Sequence, residues 1–214
     1  MEKVLITGAG GFIGRHIVEA ALKNLHWEIH VIVSGKHLHS FPPVVHVHTA
    51  DLSDLFACEC AMREIMPDSM LHLAWGLADH DFLQSDSNLE WLEISLRLLR
   101  TFQKYGGRRF VFSGSSAEYG YSQSVCAEAG AAIPTDLYGI CKLGFTKLGA
   151  AFCERHHIQF ACIRYFSVYG PGEGHLLHAI PVAIDQMLRG RQVICKAPNN
   201  VWDYVYIEDA AEAT

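Results

Sequence analysis

A glycine-rich segment near the start of the chain constrains its fold more than any other feature. An apolar run at residues 4–6 leads to Gly8, Gly11 and Gly14, and a helix-like segment follows at 15–22. A strand, a glycine turn and a helix in that order can bind a dinucleotide, because glycine lets the backbone approach a pyrophosphate and the helix N-terminus offers free N–H groups. A glycine motif alone also fits an ordinary strand–turn–helix junction, so other residues must decide.

The composition is that of a globular domain with a mild negative charge. The chain has 214 residues, 50% of them hydrophobic and 19% charged, and its formal net charge is −6. A negative charge argues against nucleic acid or an anionic membrane as the main partner. The sequence shows neither a membrane-spanning apolar run nor a signal peptide, and its seven cysteines form no CxxC pair. We therefore expect reduced thiols and a cytoplasmic protein.

Thirteen histidines raise the question of a metal site. The closest pairs are His37 with His39 and His46 with His48. Neither pair has cysteine or acidic partners at the spacing of metal ligands, so we expect no metal site.

Apolar β-type segments alternate with helix-like segments along most of the chain. This alternation predicts an α/β fold, a Rossmann-type doubly wound parallel sheet. We expect a dinucleotide-binding domain over 1–170 and an incomplete small substrate-binding lobe over 171–214, the latter with a helix at 176–189 and a strand at 191–195. The predicted strands of the sheet lie near 3–7, 29–33, 44–48, 69–74, 108–113 and 160–165, and its helices near 12–24, 54–65, 88–104 and 136–156.

Tyr138 and Lys142 form a YxxxK pair. Residues at i and i+4 share one face of a helix, so the phenol and the ammonium group would lie side by side. A neighbouring cation favours the phenolate, which would lower the pKa of Tyr138 and make it a usable acid and base. YxxxK is common in helices, but its position about 130 residues after the glycine turn strengthens the interpretation.

A serine-rich segment, residues 113–120, ends the predicted fifth strand. The carboxyl ends of the strands carry the ligand site in open α/β sheets. A hydroxyl group such as that of Ser115 can donate a hydrogen bond to a substrate oxygen there. The alternative is a serine-rich loop that only caps the strand.

Taken in order, these motifs resemble the extended short-chain dehydrogenases/reductases. The chain is similar to the NAD(P)-dependent epimerase/dehydratase family, whose members modify nucleotide sugars, from Lys3 to its last residue. The motifs that carry the resemblance are residues 7–14, Asp51-Leu52, His72-Leu73-Ala74, the Ser115 loop, Tyr138 with Lys142, the segment 164–171 and Asp203-Tyr204-Val205.

The resemblance implies a role for each matching residue. Tyr138 would be the acid and base, Lys142 would bind the nicotinamide ribose, and Ser115 would match the catalytic Ser or Thr of the family. Asp51 would accept a hydrogen bond from the adenine amino group. The other cofactor-binding residues would be Gly8, Gly11, Phe12, Ile13 and Gly14 at the pyrophosphate, Ser34 and Lys36 after the second strand, Leu52 at the adenine, Leu73 and Ala74 after the fourth strand, and Tyr165 near the nicotinamide, together with Tyr138 and Lys142.

Departures from the family pattern bear on the cofactor. Many NAD-specific members carry an acidic residue at the end of the second strand, where this chain has Ser34, Gly35 and Lys36. No carboxylate there would repel a 2′-phosphate, and Lys36 could attract one. The sequence therefore favours NADP over NAD.

Other departures bear on the substrate, which the resemblance implies to be a sugar nucleotide. Dehydratases carry acidic residues directly after the catalytic Ser or Thr, whereas this chain has Ser116 and Ala117, with Glu118 one position late. Two further positions differ from the family pattern. Ser167 stands where the family often has Asn, and Trp202 stands where it often has Arg. In the family, that Asn and that Arg help to hold the diphosphate of the sugar nucleotide. The predicted substrate-binding residues are Trp75, Ser116, Ser167 and Trp202.

The residues of these motifs look more like those of the family's reductases. The resemblance therefore favours a reductase of a nucleotide-linked 4-keto sugar, with Tyr138 as the proton donor. The alternative is a nucleotide-sugar 4-epimerase, which would use the same residues. A dehydratase and a catalytically silent cofactor-binding protein are less favoured. The resemblance also implies a homodimer through the helices at 88–104 and 136–156.

Overall fold

The central sheet consists of six parallel strands. The computed structural model describes residues 1–35, 41–77, 81–120, 125–173, 179–194, 199 and 201–214. The strands occur in the order β3-β2-β1-β4-β5-β6. This order confirms the doubly wound Rossmann-type fold. The strands are β1 (Glu2–Thr7), β2 (Trp27–Val33), β3 (His46–Thr49), β4 (Ser69–His72), β5 (Arg109–Ser115) and β6 (Gln159–Tyr165).

Helices cover both faces of this sheet. Leu5 faces a cluster that includes Phe102 and Phe145, whereas its neighbours Val4 and Ile6 face a cluster that includes Ile17. A strand buried on both faces has no room for polar alternation, which explains the continuous apolar run of β1. The helices are α1 (Phe12–Ala21), α2 (Leu55–Ile65), α3 (Ser87–Lys104), α4 (Leu137–Arg155), α5 (Ala179–Leu188) and α6 (Ile207–Ala213), with a short 3₁₀ turn at Ser116–Tyr119.

A second, two-stranded parallel sheet lies beside the first. β7 (Ser167–Tyr169) pairs with β8 (Tyr204–Tyr206). The buried side chain of Ile207, at the start of α6, packs with Val168 of β7. Helix α6 also contacts α1. Residues 204–213 therefore lie against the part of the chain assigned to the dinucleotide-binding domain, and the division at residue 170 stays a prediction.

The prediction of a strand at 191–195 is wrong for those of its residues that the structure describes. Residues 191–194 form no strand, and Cys195 lies outside the described part of the chain. Val193 and Ile194 are exposed, so this apolar pair is not part of the core that the described residues form. The expected helix at 176–189 is present as α5 over its described residues.

The carboxyl ends of β1 and β4 are joined below the expected site by a buried polar chain. The Thr7 hydroxyl lies 2.7 Å from Nδ1 of His72, and Nε2 of His72 lies 2.8 Å from the Ser95 hydroxyl on α3. All three side chains are buried. These hydrogen bonds fix the ends of two central strands relative to α3.

Among the described residues, every helix is too short or too polar to span a membrane.

Candidate active site

The glycine turn between β1 and α1 leaves no room for a side chain at two of its positions, Gly8 and Gly14. Gly8 has a φ of +72°, and a Cβ atom there would lie 2.6 Å from the backbone nitrogen of Ala74. A Cβ atom on Gly14 would collide with the carbonyl oxygen of Gly8. Gly11 is the N-cap of α1, and the first turn of that helix carries no acidic side chain. The N-terminal N–H groups of α1 are thus electrostatically suited to an anion.

The residues predicted for the adenine half lie on the other side of β1, after β2 and β3. Ser34 follows β2 and is exposed. Oδ1 of Asp51 accepts hydrogen bonds from the backbone N–H and the hydroxyl group of Ser53, at 2.9 and 2.7 Å, which lower the pKa of Asp51. Leu52 packs against the core. Lys36, the basis of the NADP preference, lies outside the described residues.

The residues after β4 line the central part of the same edge. The N–H of Leu73 donates to the carbonyl oxygen of Thr7 at 3.2 Å, and Ala74 is buried. Trp75 donates from Nε1 to Oδ1 of Asn88 at 2.9 Å. Asn88 is itself buried and donates to two backbone carbonyl groups of the preceding loop. Trp75 is thereby fixed in orientation.

Tyr138 and Ser115 come together beyond the end of β5. Asp136 caps α4 by accepting a hydrogen bond from the N–H of Gly139 at 2.7 Å, which begins the helix just before Tyr138. Burial raises the pKa of Tyr138, while a hydrogen bond from Ser115 lowers it and the charge of Glu118 raises it. The net direction is upward, opposite to the expectation from the sequence, because burial outweighs the Ser115 bond.

Lys142 lies one turn along α4 from Tyr138 and is almost fully buried. Its Nζ donates to the carbonyl oxygen of Ser113 at 2.7 Å and sits 4.2 Å from the centre of the Trp75 ring and 5.7 Å from that of Tyr138. Burial lowers the pKa of Lys142 to about 7, although the charge of Glu118 acts in the opposite direction. The structure thus brings Ser115, Tyr138, Lys142 and Trp75 together at the end of β5, and their roles stay predictions.

Four further predicted residues lie outside this cluster. Tyr165 is opposite Ser115 in the β5–β6 pairing, and its hydroxyl group lies 2.7 Å from that of Thr214. Ser116 begins the 3₁₀ turn. Ser167 begins β7, and Trp202, shortly before β8, is exposed. Phe12 and Ile13, at the start of α1, pack toward the same C-terminal segment as Tyr165.

Two residues that support the cluster were missed by the sequence reasoning. Asn88 carries no motif and could not have been recognised. Glu118 could have been, because Ser115-x-x-Glu118 is the signature of a capping box. Both halves of that box are present, with the N–H of Ser115 donating to Glu118 at 3.0 Å.

Three of the histidines form a small cluster on β2 and β3, at the edge of the sheet away from Ser115 and Tyr138. Nδ1 of His30 lies 3.0 Å from Nε2 of His48, and Nε2 of His30 lies 3.0 Å from Oε1 of Glu28. His46 stacks on His30. Among the described residues, no three His, Cys, Asp or Glu side chains are arranged to hold a metal ion. His37 and His39 lie outside the described part of the chain.

The geometry fits a dinucleotide along the carboxyl edge of the sheet. The glycine turn has no room for a side chain at Gly8 or Gly14, and the uncapped start of α1 follows it. The predicted adenine residues and the Ser115–Tyr138 pair lie on opposite sides of β1. In open α/β sheets, ligands bind in the crevice at the carboxyl ends of the strands, where the strand order reverses.

Comparison with known proteins agrees with this geometry. The chain is 28% identical over 79% of its length to an uncharacterized UDP-glucose epimerase of Bacillus subtilis, of which it spans 57%. A Thermotoga maritima UDP-glucose 4-epimerase, solved with UDP-glucose, gives a TM-score of 0.85 at 26% identity, covering 99% of this chain and 71% of that one. A Thermus thermophilus UDP-glucose 4-epimerase, solved with NAD, gives 0.82 at 28% identity, covering 99% and 72%.

A family model also matches almost the whole chain. The model of the NAD dependent epimerase/dehydratase family matches residues 4–214. It includes the glycine turn, the Ser115 loop and the YxxxK pair on α4. The chain therefore belongs to the NAD dependent epimerase/dehydratase family.

Proposed function

We propose that this chain is the dinucleotide-binding part of a nucleotide-sugar 4-epimerase that acts on a UDP-hexose. The observation that carries the proposal is the packing of Tyr138 and Lys142 at the carboxyl edge of the sheet: Nζ of Lys142 donates to the carbonyl oxygen of Ser113 at 2.7 Å and lies 5.7 Å from the centre of the Tyr138 ring, beside the turn that Ser115 caps. The compared proteins are named as UDP-glucose epimerases, which favours the epimerase alternative over the 4-keto sugar reductase. No support for the reductase comes from them.

The side chains of the cluster divide the work of such a reaction. A bound nicotinamide cofactor would supply the two-electron redox chemistry at C4 of the sugar. Tyr138 would take the proton from the 4-hydroxyl group and return it to the oxygen when the opposite face is reduced. Ser115 would donate a hydrogen bond to the same oxygen and so orient it. Lys142 would bind the ribose of the cofactor and supply positive charge.

Elimination of water is less consistent with the site. A dehydratase needs a carboxyl group free to remove a proton close to the catalytic hydroxyl. Glu118 is the acidic residue that follows Ser115, and its carboxylate is fully buried and paired with Arg164. A carboxylate with no exposed surface is out of reach of a sugar bound at the edge of the sheet.

The proposal takes NAD as the cofactor, although the sequence favours NADP. An epimerase returns its reducing equivalents in each cycle and gains nothing from the reduced NADP pool. A related 4-epimerase is solved with NAD. Equilibrium binding of NAD⁺ and NADP⁺ to the purified protein tests this choice, and tighter binding of NADP⁺ would contradict it.

Interconversion of UDP-galactose and UDP-glucose without added reductant tests the activity. Tyr138→Phe should lower kcat by about 10² to 10⁴ because the acid and base is lost. Tyr105→Phe is a matched control, since that tyrosine ends α3 and its hydroxyl group donates to Glu59. Stoichiometric NADPH oxidation by a keto sugar, without interconversion, would instead support the reductase.

A further inference from the structure

Glu118 carries a fully buried carboxylate directly behind the proposed site. Its Oε1 accepts the hydrogen bond from the N–H of Ser115 at 3.0 Å. Its Oε2 accepts from Nε of Arg164 at 2.9 Å and from the hydroxyl group of Thr146 at 3.3 Å. Burying a charge is unfavourable unless it is paired and hydrogen-bonded. The partners of this carboxylate therefore show what it holds in place.

The carboxylate holds both the backbone and, indirectly, the hydroxyl group of Ser115. With the Ser115 N–H bound to Glu118, the Ser115 oxygen accepts from the N–H of Ala117 at 3.1 Å. That bond occupies one lone pair of the Ser115 oxygen and leaves its hydroxyl proton available to Tyr138 on the first turn of α4, where the neighbouring Gly139 packs against the carbonyl oxygen of Ala117. The direction in which Ser115 presents its proton thus depends on the capping box.

Residues of β5 and β6 pack closely around the carboxylate of Glu118. A Cβ atom on Gly114 would lie 2.5 Å from Oε1 of Glu118 and 2.5 Å from Sγ of Cys162, so glycine is required in the strand at this point. Arg164 is the β6 partner of Gly114 and also donates to the hydroxyl group of Tyr119 at 3.0 Å. Since Tyr119 ends the 3₁₀ turn that Ser115 caps, Arg164 holds the far end of the turn.

We propose that Glu118 is a positioning residue for Ser115, acting with Arg164 as its counter-ion. It contributes no proton to the reaction and acts only by fixing the Ser115 hydroxyl group against Tyr138. The inference deepens the proposed function and rests on it in one respect, namely that Ser115 orients the oxygen of the sugar.

Two double variants isolate the hydrogen bond from the charge. Glu118→Gln and Glu118→Leu are each made in an Arg164→Met background, so both proteins lack the buried ion pair. Replacing a buried pair by neutral side chains of similar size is often tolerated. The amide oxygen of the Gln variant can accept from the N–H of Ser115, whereas the Leu variant has no acceptor. The two proteins then differ in that bond and in the contact of residue 118 with the hydroxyl group of Thr146.

The first readout is the ionisation of Tyr138, which needs no substrate. It is measured by tyrosinate absorbance as the difference between each protein and its Tyr138→Phe counterpart. The charge of Glu118, which raises the pKa of Tyr138, is absent from both variants. Loss of the Ser115 bond alone should therefore place the Tyr138 midpoint higher in the Leu variant than in the Gln variant. Equal midpoints would overturn the proposal.

The second readout is turnover of UDP-galactose. The Leu variant should have a kcat about 10-fold below that of the Gln variant, with unchanged KM, because a misplaced orienting group affects the transition state more than binding. Asp68→Ala is the control, since Asp68 binds the N–H of Lys3 at the opposite end of the strands. Its kcat and Tyr138 midpoint should match those of the wild type.

The two proposals can fail separately. Equal kcat values in the two double variants would overturn the positioning role even if the proposed activity is present. A wild type that interconverts no sugar nucleotide would refute the proposed function, and the Tyr138 titration alone would then decide the role of Glu118. If the double variants do not fold, the same comparison is made with the single Glu118 variants.

Discussion

His72 shows how a titratable side chain is kept neutral in the centre of the sheet. The Ser95 hydroxyl donates to the carbonyl oxygen of Trp91 at 2.7 Å, so it accepts from Nε2 of His72. Nδ1 of His72 is then the acceptor for the Thr7 hydroxyl. Burial, with a smaller effect of the Lys142 charge, lowers the pKa of His72 to about 3. Both ring nitrogens are used in the neutral form, which protonation would disrupt.

This neutral histidine should make the protein less stable in mild acid. The unfolded chain binds a proton at His72 near pH 6.5, whereas the folded chain binds it only near pH 3. The contribution of neutral His72 to the free energy of unfolding should thus be fully present above about pH 6.5. Below that pH, the free energy of unfolding should fall by about 1.4 kcal/mol per pH unit. Urea unfolding of the wild type and His72→Gln at pH 7.5, 6.5 and 5.5 measures this contribution. His30 and His48 are common to both proteins, so parallel pH profiles would contradict the prediction.

At the scale of the element, α4 does the most to assemble the site. It begins at the cap provided by Asp136 and carries Tyr138 and Lys142 on one side. Gly139, between them, lies so close to the 3₁₀ turn that a Cβ atom would be 2.5 Å from the carbonyl oxygen of Ala117. A small shift of this helix would therefore separate Tyr138 from Ser115.

Removing the caps of two helices distinguishes stability from function. Asp136→Ala and Asp54→Ala each delete a side chain that accepts one N–H at a helix start, at 2.7 and 3.0 Å. Each should lower the free energy of unfolding by about 1 kcal/mol. Only Asp136→Ala should also lower kcat, at saturating cofactor, because α2 carries no residue of the Ser115–Tyr138 cluster. Equal kcat values for the two variants would show that the start of α4 does not position Tyr138.

The elements that the sequence predicts well are those with strong local patterns. The six strands and four main helices of the sheet follow from apolar periodicity, and the YxxxK and glycine motifs locate the cluster. β8 is only three residues long, which is too short for a periodic signal. The direction of the Tyr138 pKa could not be predicted either, because burial depends on α4, β5 and the loop before α3 coming together.

At the scale of the whole molecule, the outer faces of α3 and α4 carry exposed apolar side chains. Leu89 on α3 and Ile140 and Leu148 on α4 are each about half exposed. These two helices pack against each other on one face of the sheet. The homodimer predicted through them would cover these side chains, since exposed apolar surface favours association.

A single charge on this face should prevent the predicted dimer. Leu148→Glu would bury an unpaired carboxylate in such an interface and should convert a dimer into a monomer. Met187→Glu, on the exposed side of α5, is the matched control and should leave the mass unchanged. Sedimentation equilibrium of the three proteins measures this, and an unchanged mass of Leu148→Glu would place any interface elsewhere.

Helix α6 rests on α1, although most of the chain separates them in sequence. Lys23 and Glu212 form an ion pair at 2.7 Å across this contact, and Phe12 and Ile13 pack toward Ile207. Contacts between such distant segments form late, because a long loop must close first. During synthesis, the start of α1 can therefore reach its final packing only after residues 207–213 have left the ribosome. The glycine turn would therefore acquire its final surroundings only after residues 207–213 have been made.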